Sequence, residues 1–257
     1  MNKKPRLSKS VRELWPKLTT AALDLLFPGA VFCASCGTKL KTAERYICTD
    51  CLEQITLVKE PVCLKCNRPL TRPGYCRECR VRPRSFARAW SAAVYKGALR
   101  QCLHRFKYSH GAYLAPFLGE LLANHLEKVD NLPPQLLVIP VPLDSQRLKE
   151  RGFNQAQLLA EEVARLWGWP LDTKILRRVR ATLPQADLKA ADRWRNVEGA
   201  FAASRRLMGK QILLVDDIYT TGATAEAASQ ALKDAGASAV YIATVAIASS
   251  HPHGRDK

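Results

Sequence analysis

The sequence predicts an α/β protein, in which a parallel β-sheet domain follows a small cysteine-rich domain. Residues 212–215 form a continuous apolar run, which is typical of a strand buried on both faces. A helix-forming segment at 225–235 and a second apolar run at 239–248 complete a strand–helix–strand unit, whose two strands are parallel. Eight of the nine cysteines lie within residues 33–79, which separates them from the sheet domain.

The 257 residues have room for one domain of about 150 residues and a smaller one. We expect a basic tail with an amphipathic helix in 1–30, the cysteine-rich domain in 31–82 and the sheet domain in 88–250. The helix either docks on the next domain or lies on a membrane surface. Its apolar stretch is too short to span a bilayer, and neither a secretory signal nor a transmembrane segment is found, so a cytoplasmic protein is expected.

The cysteines form four pairs with CxxC spacing, and each pair can present two sulfurs to one metal ion. Two pairs complete a tetrahedron, and zinc is its usual occupant. Pairing of neighbours is the simplest assignment, although interleaved pairing stays open. Because four thiolates leave no open coordination position, two structural zinc sites are expected. Their ligands are Cys33, Cys36, Cys48, Cys51, Cys63, Cys66, Cys76 and Cys79.

The formal net charge is +17, from 40 basic and 23 acidic residues. Such an excess favours polyanionic partners: nucleic acid, an anionic membrane face or a phosphate-rich substrate. Basic residues with Tyr46 and Tyr75 lie among the cysteines, a composition that can bind single-stranded DNA by phosphate contact and base stacking. The same surface can equally bind a protein partner.

The strand at 212–215 leads into Asp216 and Asp217, followed by a loop of hydroxyl and glycine residues that ends at a helix N-terminus. Ligands of parallel sheets bind at the carboxyl ends of the strands, and a helix N-terminus favours phosphate. Gly222 allows a close backbone approach, and Thr221 and Thr224 add hydroxyl donors. Adjacent carboxylates suit the vicinal hydroxyls of a ribose, so the stretch predicts a ribose 5-phosphate site. The alternatives are a Walker B strand, which lacks its P-loop here, and a solvated strand end followed by a helix cap.

Further strands are expected at 89–95, 136–141, 171–176 and 197–203, and helices at 99–108, 114–129 and 156–166. Arg147, Arg151 and Asn154 follow the strand at 136–141, from which they can reach a pyrophosphate. The alternative is a helix-entry loop with incidental charges. Residues 177–196 predict a structureless loop whose arginines and amides favour a lid over phosphates. We interpret Cys102 as a packing residue and His104 and His110 as surface residues.

These motifs together resemble the ComF/GntX family, also called ComFC, in which a double zinc ribbon precedes a type I phosphoribosyltransferase-like domain. The resemblance rests on the four CxxC pairs, Ile139-Pro-Val-Pro142, Arg151-Gly-Phe-Asn-Gln155, Thr182-x-x-Gln185, Arg193-x-x-Asn196 and the run from Leu214 to Thr224. It extends over about residues 22–248.

The resemblance implies a site for phosphoribosyl pyrophosphate (PRPP) with Mg²⁺. Asp216 and Asp217 would contact the ribose hydroxyls and be the candidate catalytic residues. Residues 141–147 would form the pyrophosphate loop, and 178–196 a mobile hood with Arg180, Gln185, Arg193 and Asn196. The 5-phosphate would lie on the loop that follows Val215, formed by Thr220, Thr221, Gly222, Ala223 and Thr224.

The family is associated with natural competence and with the use of DNA as a nutrient. The resemblance therefore implies handling of single-stranded DNA in the cytoplasm, with competence-machinery proteins or the inner-membrane surface as partners. One alternative is a metabolic phosphoribosyltransferase acting on a base or amine. The other is a zinc-dependent adaptor whose PRPP site is vestigial.

Overall fold

The computed structural model describes residues 32–108, 111–182 and 190–248. The chain divides into two compact units, Met1–Gln54 and Ile55–Lys257. The boundary lies between the first four and the last four cysteines of the CxxC pairs. The predicted helix in 1–30, Gln185 and His110 lie outside the described residues. Among the residues that are described, no helix is both long and apolar enough to cross a membrane.

The first unit contains a short cysteine-rich fold in residues 32–54. Phe32 and Lys39 form an antiparallel bridge, and the Cys33 amide donates to the Thr38 carbonyl at 2.7 Å. Helix α1 (Thr49–Glu53) begins directly after Cys48. The turns therefore hold the first four cysteines close in space with little apolar packing.

The second unit contains the remaining elements. The strands are β1 (Arg88–Val94), β2 (Leu137–Pro140), β3 (Leu176–Arg178), β4 (Phe201–Ala203), β5 (Gln211–Tyr219) and β6 (Ala239–Ile247). The helices are α2 (Arg77–Val81), α3 (Gly97–Lys107), α4 (Ala115–Glu127), α5 (Ser145–Arg151), α6 (Gln155–Trp167), α7 (Ala190–Val197) and α8 (Ala223–Asp234).

Four strands form a parallel sheet in the order β1-β6-β5-β2. Helices α4 and α6 pack against each other and against the sheet, α4 on β1 and β6 and α6 on β5 and β2. Successive residues of a strand face opposite sides, so Ile212 and Leu214 share one face of β5. That face belongs to a buried cluster with Leu232 of α8 and Cys63 and Cys66 of the cysteine-rich segment. The predicted parallel α/β domain is confirmed.

Residues 55–85, which we call the second ribbon, cover the edge of this sheet at β1. The Val94 amide donates to the Thr56 carbonyl at 2.8 Å, and the Val58 amide donates to the Ala92 carbonyl at 3.0 Å. The Ala89 amide donates to the Lys65 carbonyl at 2.8 Å. The backbone of the second ribbon thus satisfies hydrogen-bonding groups that an uncovered edge strand would leave open.

Three sequence-based expectations about local structure are wrong. Residues 177–196 are not structureless, because they include part of β3 and most of α7. Residues 197–203 do not return to the main sheet: β4 pairs with β3 in a separate antiparallel sheet, where Phe201 lies opposite Arg178. The strand expected at 171–176 is reduced to a bridge between Leu171 and Val138, and β3 begins only at Leu176. For the strands, pairing between distant segments decides the outcome rather than local apolar runs.

Candidate ribose-phosphate site and cysteine clusters

Asp216 and Asp217 lie within β5 at the carboxyl edge of the sheet. Pro140, the last residue of β2, pairs with Val215, so the two carboxylates follow directly beyond the end of β2. The side chains of adjacent strand residues point to opposite faces, and Asp217 forms an ion pair with Lys107 of α3 at 2.8 Å. The Asp217 amide donates to Asp216 Oδ1 at 2.8 Å. Both carboxylates are enclosed by neighbouring groups, which argues against a solvated strand end.

The two carboxylates differ in their electrostatic state. Burial and the neighbouring charge of Asp217 raise the pKa of Asp216 to about 7. Burial acts to lower the pKa of Lys107, but the Asp217 carboxylate outweighs it, and the pKa of Lys107 is raised. At neutral pH, Asp216 therefore exchanges between a form that donates a hydrogen bond and a form that only accepts one. Hydroxyl groups of a ribose can pair with either form.

The phosphate loop, residues 220–224, connects β5 to α8. Gly222 is the N-cap of α8 and has a φ of 80°, in the left-handed region. A Cβ at Gly222 would overlap the Tyr219 hydroxyl oxygen, so this position excludes a side chain on steric grounds as well. The Ala223 amide donates to Thr221 Oγ1 at 3.4 Å.

A cleft joins the loop to the first carboxylate. Its lining includes Asp216, Thr220, Gly222, Thr224 and Thr244. The first-turn amides of α8 have no acceptor within the helix, and the helix dipole favours an anion at this end. One cleft thus combines a carboxyl group, threonine hydroxyls and a helix N-terminus, the chemistry that a ribose 5-phosphate requires.

The residues after β2 have mostly internal roles. Asn154 caps α6 by accepting from the Ala156 amide at 3.1 Å, and it donates to the Val141 carbonyl at 3.0 Å. Arg151 donates to Gln155 Oε1 at 3.0 Å and lies over the Tyr108 ring, 5.2 Å from its centroid. Arg147 is half-buried on α5. Of the three residues predicted to reach a pyrophosphate, Arg147 is the one whose side chain has no hydrogen bond in the described structure.

In the predicted hood, residues 178–196, the structure brings a different arginine to the site. Arg178 interacts electrostatically with Asp144, Arg147 and Asp216, and burial lowers its pKa. Arg180 instead donates to the Asn196 carbonyl at 3.1 Å and to the Glu198 carbonyl, which ties the two ends of the hood together. Arg193 and Asn196 are half-buried on α7.

Three contributors were not predicted as site residues: Lys107, Arg178 and Arg68. Arg178 belongs to the arginine-rich run that predicted the lid, so the composition of this run indicated that its arginines could reach the site. Lys107 pairs with a carboxylate 110 positions later in the chain, and Arg68 donates to the Thr220 carbonyl at 3.1 Å across 152 positions. No local pattern in the sequence encodes contacts at such separations.

The first cysteine cluster consists of Cys33, Cys36, Cys48 and Cys51. One sulfur from each lies within 4.8 Å of all the others, and the Cys36 and Cys48 sulfurs are 3.8 Å apart. Zinc–sulfur bonds of about 2.3 Å place tetrahedral sulfurs ~3.8 Å apart. The Cys48 amide donates to Cys33 Sγ at 3.3 Å. The donor set and its spacing fit a structural zinc ion.

The second cluster, formed by Cys63, Cys66, Cys76 and Cys79, repeats this geometry in the other unit. Its sulfurs also lie within 4.8 Å of one another, with Cys66 and Cys76 3.7 Å apart. The Cys76 amide donates to Cys63 Sγ at 3.3 Å. Neighbouring CxxC pairs therefore belong together, which resolves the choice between neighbouring and interleaved pairing. Cys102, outside both clusters, is buried in the core as predicted.

Comparison with known proteins agrees with both parts of this structure. A family model described as "Double zinc ribbon domain" matches residues 22–80, and one described as "Phosphoribosyl transferase domain" matches residues 155–257. "DNA utilization protein YhgH" of Escherichia coli (strain K12) is 31% identical over 222 residues, covering 85% of this chain and 96% of the relative.

Two relatives carry competence names. "Competence protein F" of Haemophilus influenzae is 29% identical over 217 residues, covering 82% of this chain and 94% of the relative. "Competence protein ComFC" of Bacillus subtilis (strain 168) is 31% identical over 230 residues, covering 86% of each chain. The similarity thus extends through both the cysteine clusters and the sheet domain.

Proposed function

This chain belongs to the ComF family of double-zinc-ribbon, phosphoribosyltransferase-like proteins, and we propose on that premise that it binds PRPP with Mg²⁺ and handles single-stranded DNA. The observation that supports PRPP binding is the cleft that Asp216 and the phosphate loop line together. The domain boundaries, 31–82 for the ribbons and 88–250 for the transferase-like domain, are part of the proposal.

In this proposal each group of PRPP has a partner of matching chemistry. The 5-phosphate accepts hydrogen bonds from the phosphate loop, and the ribose hydroxyls pair with Asp216 and Asp217. Arg147 and Arg178 supply positive charge for the pyrophosphate. Mg²⁺, a hard cation that prefers oxygen ligands, would arrive with the pyrophosphate and neutralise its charge.

Any transfer reaction would proceed by displacement of pyrophosphate at the anomeric carbon. The residues of this chain would stabilise the departing negative charge through Arg147 and Arg178 and exclude water beneath the hood. The described residues provide no group that we assign as general base for an acceptor. We therefore propose PRPP binding and leave the acceptor open.

Isothermal titration calorimetry with PRPP–Mg²⁺ tests the binding proposal directly. We expect binding by the wild-type protein and its loss in the double variant Asp216→Ala/Asp217→Ala. Pyrophosphate release from PRPP with a nucleobase or an amine would support the metabolic transferase instead. Absence of PRPP binding by the wild-type protein would contradict the proposal and favour an adaptor with a vestigial site.

The DNA half of the proposal rests on the second ribbon and on the names of the relatives. Arg72, Arg77 and Arg80 are exposed, and Tyr75 exposes 53% of its surface, so charge and an aromatic face are available together. Phosphate contacts by arginine and stacking on tyrosine bind single strands without sequence preference. We further propose a cytoplasmic location, with the inner-membrane face or competence-machinery proteins as partners.

Titration of a short single-stranded DNA at several salt concentrations tests this half. The logarithm of the binding constant should fall linearly with the logarithm of salt concentration. The triple variant Arg72→Ala/Arg77→Ala/Arg80→Ala should reduce the slope, whereas Tyr75→Ala should weaken binding at every salt concentration. Salt-independent binding, or none, would refute it.

A further inference from the structure

The phosphate loop is attached to the second ribbon on both sides. At the start of the loop, directly after β5, Arg68 Nη2 donates to the Thr220 carbonyl at 3.1 Å. In the first turn of α8, Glu226 accepts from the Ser85 amide at 2.9 Å and from the Ser85 hydroxyl at 2.6 Å. Both partners thus belong to the second ribbon: Arg68 lies between Cys66 and Cys76 of the second cysteine cluster, and Ser85 follows the cluster.

Arg68 is rigidly connected to that cluster. The Cys63 amide donates to the Arg68 carbonyl at 2.8 Å, and the Asn67 amide donates to the Cys63 carbonyl at 2.9 Å. The Arg68 side chain exposes only 7% of its surface and also contacts Glu78 at 3.4 Å. A buried guanidinium held in this way has little freedom to leave the Thr220 carbonyl.

The contact has a geometric consequence for the loop. In a trans peptide unit the carbonyl and the following amide N–H point in opposite directions. Because Arg68 holds the Thr220 carbonyl toward the ribbon, the Thr221 N–H is directed away from the ribbon. The orientation of this peptide unit is therefore set by a residue outside the loop.

We propose that Arg68 is a positioning residue for the phosphate loop, through which the second ribbon sets the affinity of the site for a 5-phosphate. This inference rests on the proposed function but adds a role for the second ribbon in ligand binding. The first cluster, in the other unit, is not needed for it.

The test compares Arg68→Met, which keeps the apolar volume, with Arg68→Lys and with Lys59→Ala, which removes an exposed cation of the same ribbon. We expect Arg68→Met to retain two zinc ions per chain and to bind ribose 5-phosphate about tenfold more weakly, as loss of one charge-assisted hydrogen bond predicts. Arg68→Lys should restore most of the affinity, and Lys59→Ala should leave it unchanged. Pyrophosphate–Mg²⁺ should bind all four proteins alike. Should Arg68→Met not fold, Arg68→Gln replaces it.

Hydrogen–deuterium exchange provides a readout without ligand. Amides of residues 220–224 should exchange faster in Arg68→Met than in the wild-type protein, with β5 unchanged. Equal exchange rates, or equal affinities for ribose 5-phosphate, would overturn the inference, as would an equal loss in Lys59→Ala. If the wild-type protein binds neither ribose 5-phosphate nor PRPP, the proposed function fails, and loop exchange still decides the role of Arg68.

Discussion

Gly222 is subject to two separate constraints, its backbone conformation and the proximity of Tyr219. Gly152 has the same φ of 80°, but no heavy atom lies within 4 Å of a Cβ built there. We expect Gly152→Ala to lower the free energy of unfolding by about 1 kcal/mol, from backbone strain alone. Gly222→Ala should cost about 2–4 kcal/mol, because steric overlap is added. Urea unfolding of both variants measures the difference, and equal costs would show that Tyr219 moves away freely.

Asparagine substitutions at Asp216 and at Asp217 should have opposite effects on the stability of the protein. Unfolding should return the Asp216 pKa from about 7 to an ordinary value near ~3.9, so between these values the folded state holds a proton that the unfolded chain lacks. The Asp216 carboxyl therefore contributes to the free energy of unfolding fully below pH ~4, and this contribution is lost as the pH rises through about 7. Asp216→Asn should remove this decline and be more stable than the wild-type protein at pH 8 by about 1–3 kcal/mol.

Asp217→Asn leaves Lys107 without its carboxylate partner and should be destabilised by about 1–3 kcal/mol. Chemical unfolding of both variants from pH 4 to pH 8 checks the contrast. A loss of stability in Asp216→Asn at pH 8 would contradict the raised pKa.

The sequence identified the individual chemical groups of the site but not the residues that they contact. Asp216, Asp217 and the phosphate loop follow from local order along the chain, because a strand, a loop and a helix are consecutive. Lys107 and Arg68 come from segments more than 100 positions away. Their roles depend on tertiary packing, which one sequence does not encode in any local pattern.

Among the elements, helix α7 depends on the C-terminal part of the second ribbon. Arg82 and Arg84 lie over the Trp194 ring, with guanidinium carbons 5.0 and 4.6 Å from its centroid. Each such contact contributes about 0.5–1 kcal/mol. Trp194→Ala should therefore release α7 from this segment. Hydrogen–deuterium exchange at 192–197 should become about fivefold faster or more, with β5 unchanged.

Trp167→Ala is the control for this prediction. Trp167, in α6, is also half-buried, but its ring lies against Trp169, with the ring centroids 4.7 Å apart and the planes tilted by 41°. It should leave exchange at 192–197 unaltered. An equal effect of both substitutions would indicate general destabilisation instead of a local contact.

Element prediction succeeded where apolar periodicity is strong and failed where it is weak. Helices α4 and α6 and strand β6 lie close to their predicted bounds, whereas β5 continues to Tyr219, four residues beyond the predicted end at Val215. The segment 177–203 was misjudged because both of its strands are only three residues long, and β3 contains two arginines. Its structure depends on pairing between Leu176 and Ala203, and neither short run carries a pattern that would reveal the other.

For the whole molecule, the two cysteine clusters should contribute unequally to stability. Cys33 and Cys63 are matched: both are fully buried, and each accepts an amide hydrogen bond at 3.3 Å. Each substitution to serine should lower zinc content from two ions to one. Cys63→Ser should also lower the main calorimetric transition by about 5–10 °C, because the second ribbon packs into the sheet unit. Cys33→Ser should leave that transition within about 2 °C. Equal shifts would contradict the division of the chain into these units.

The sequence predicted both zinc sites as one tandem domain, since the spacing of the CxxC pairs is nearly regular. Spacing reports which cysteines can share a metal, but it carries no information about what each ribbon packs against. The grouping of residues 55–85 with the sheet depends on backbone hydrogen bonds at β1, which are independent of side-chain identity, and on burial of Cys63 and Cys66 against the sheet.

Those hydrogen bonds also bear on the solubility of the protein. When the second cluster loses its metal, the second ribbon should no longer hold its backbone against β1. The buried strand β1 then becomes an open sheet edge. Open edges of this kind pair with identical edges of other molecules. Zinc depletion should therefore cause the protein to associate into assemblies whose size increases with protein concentration. Light scattering after addition of a chelator measures this association.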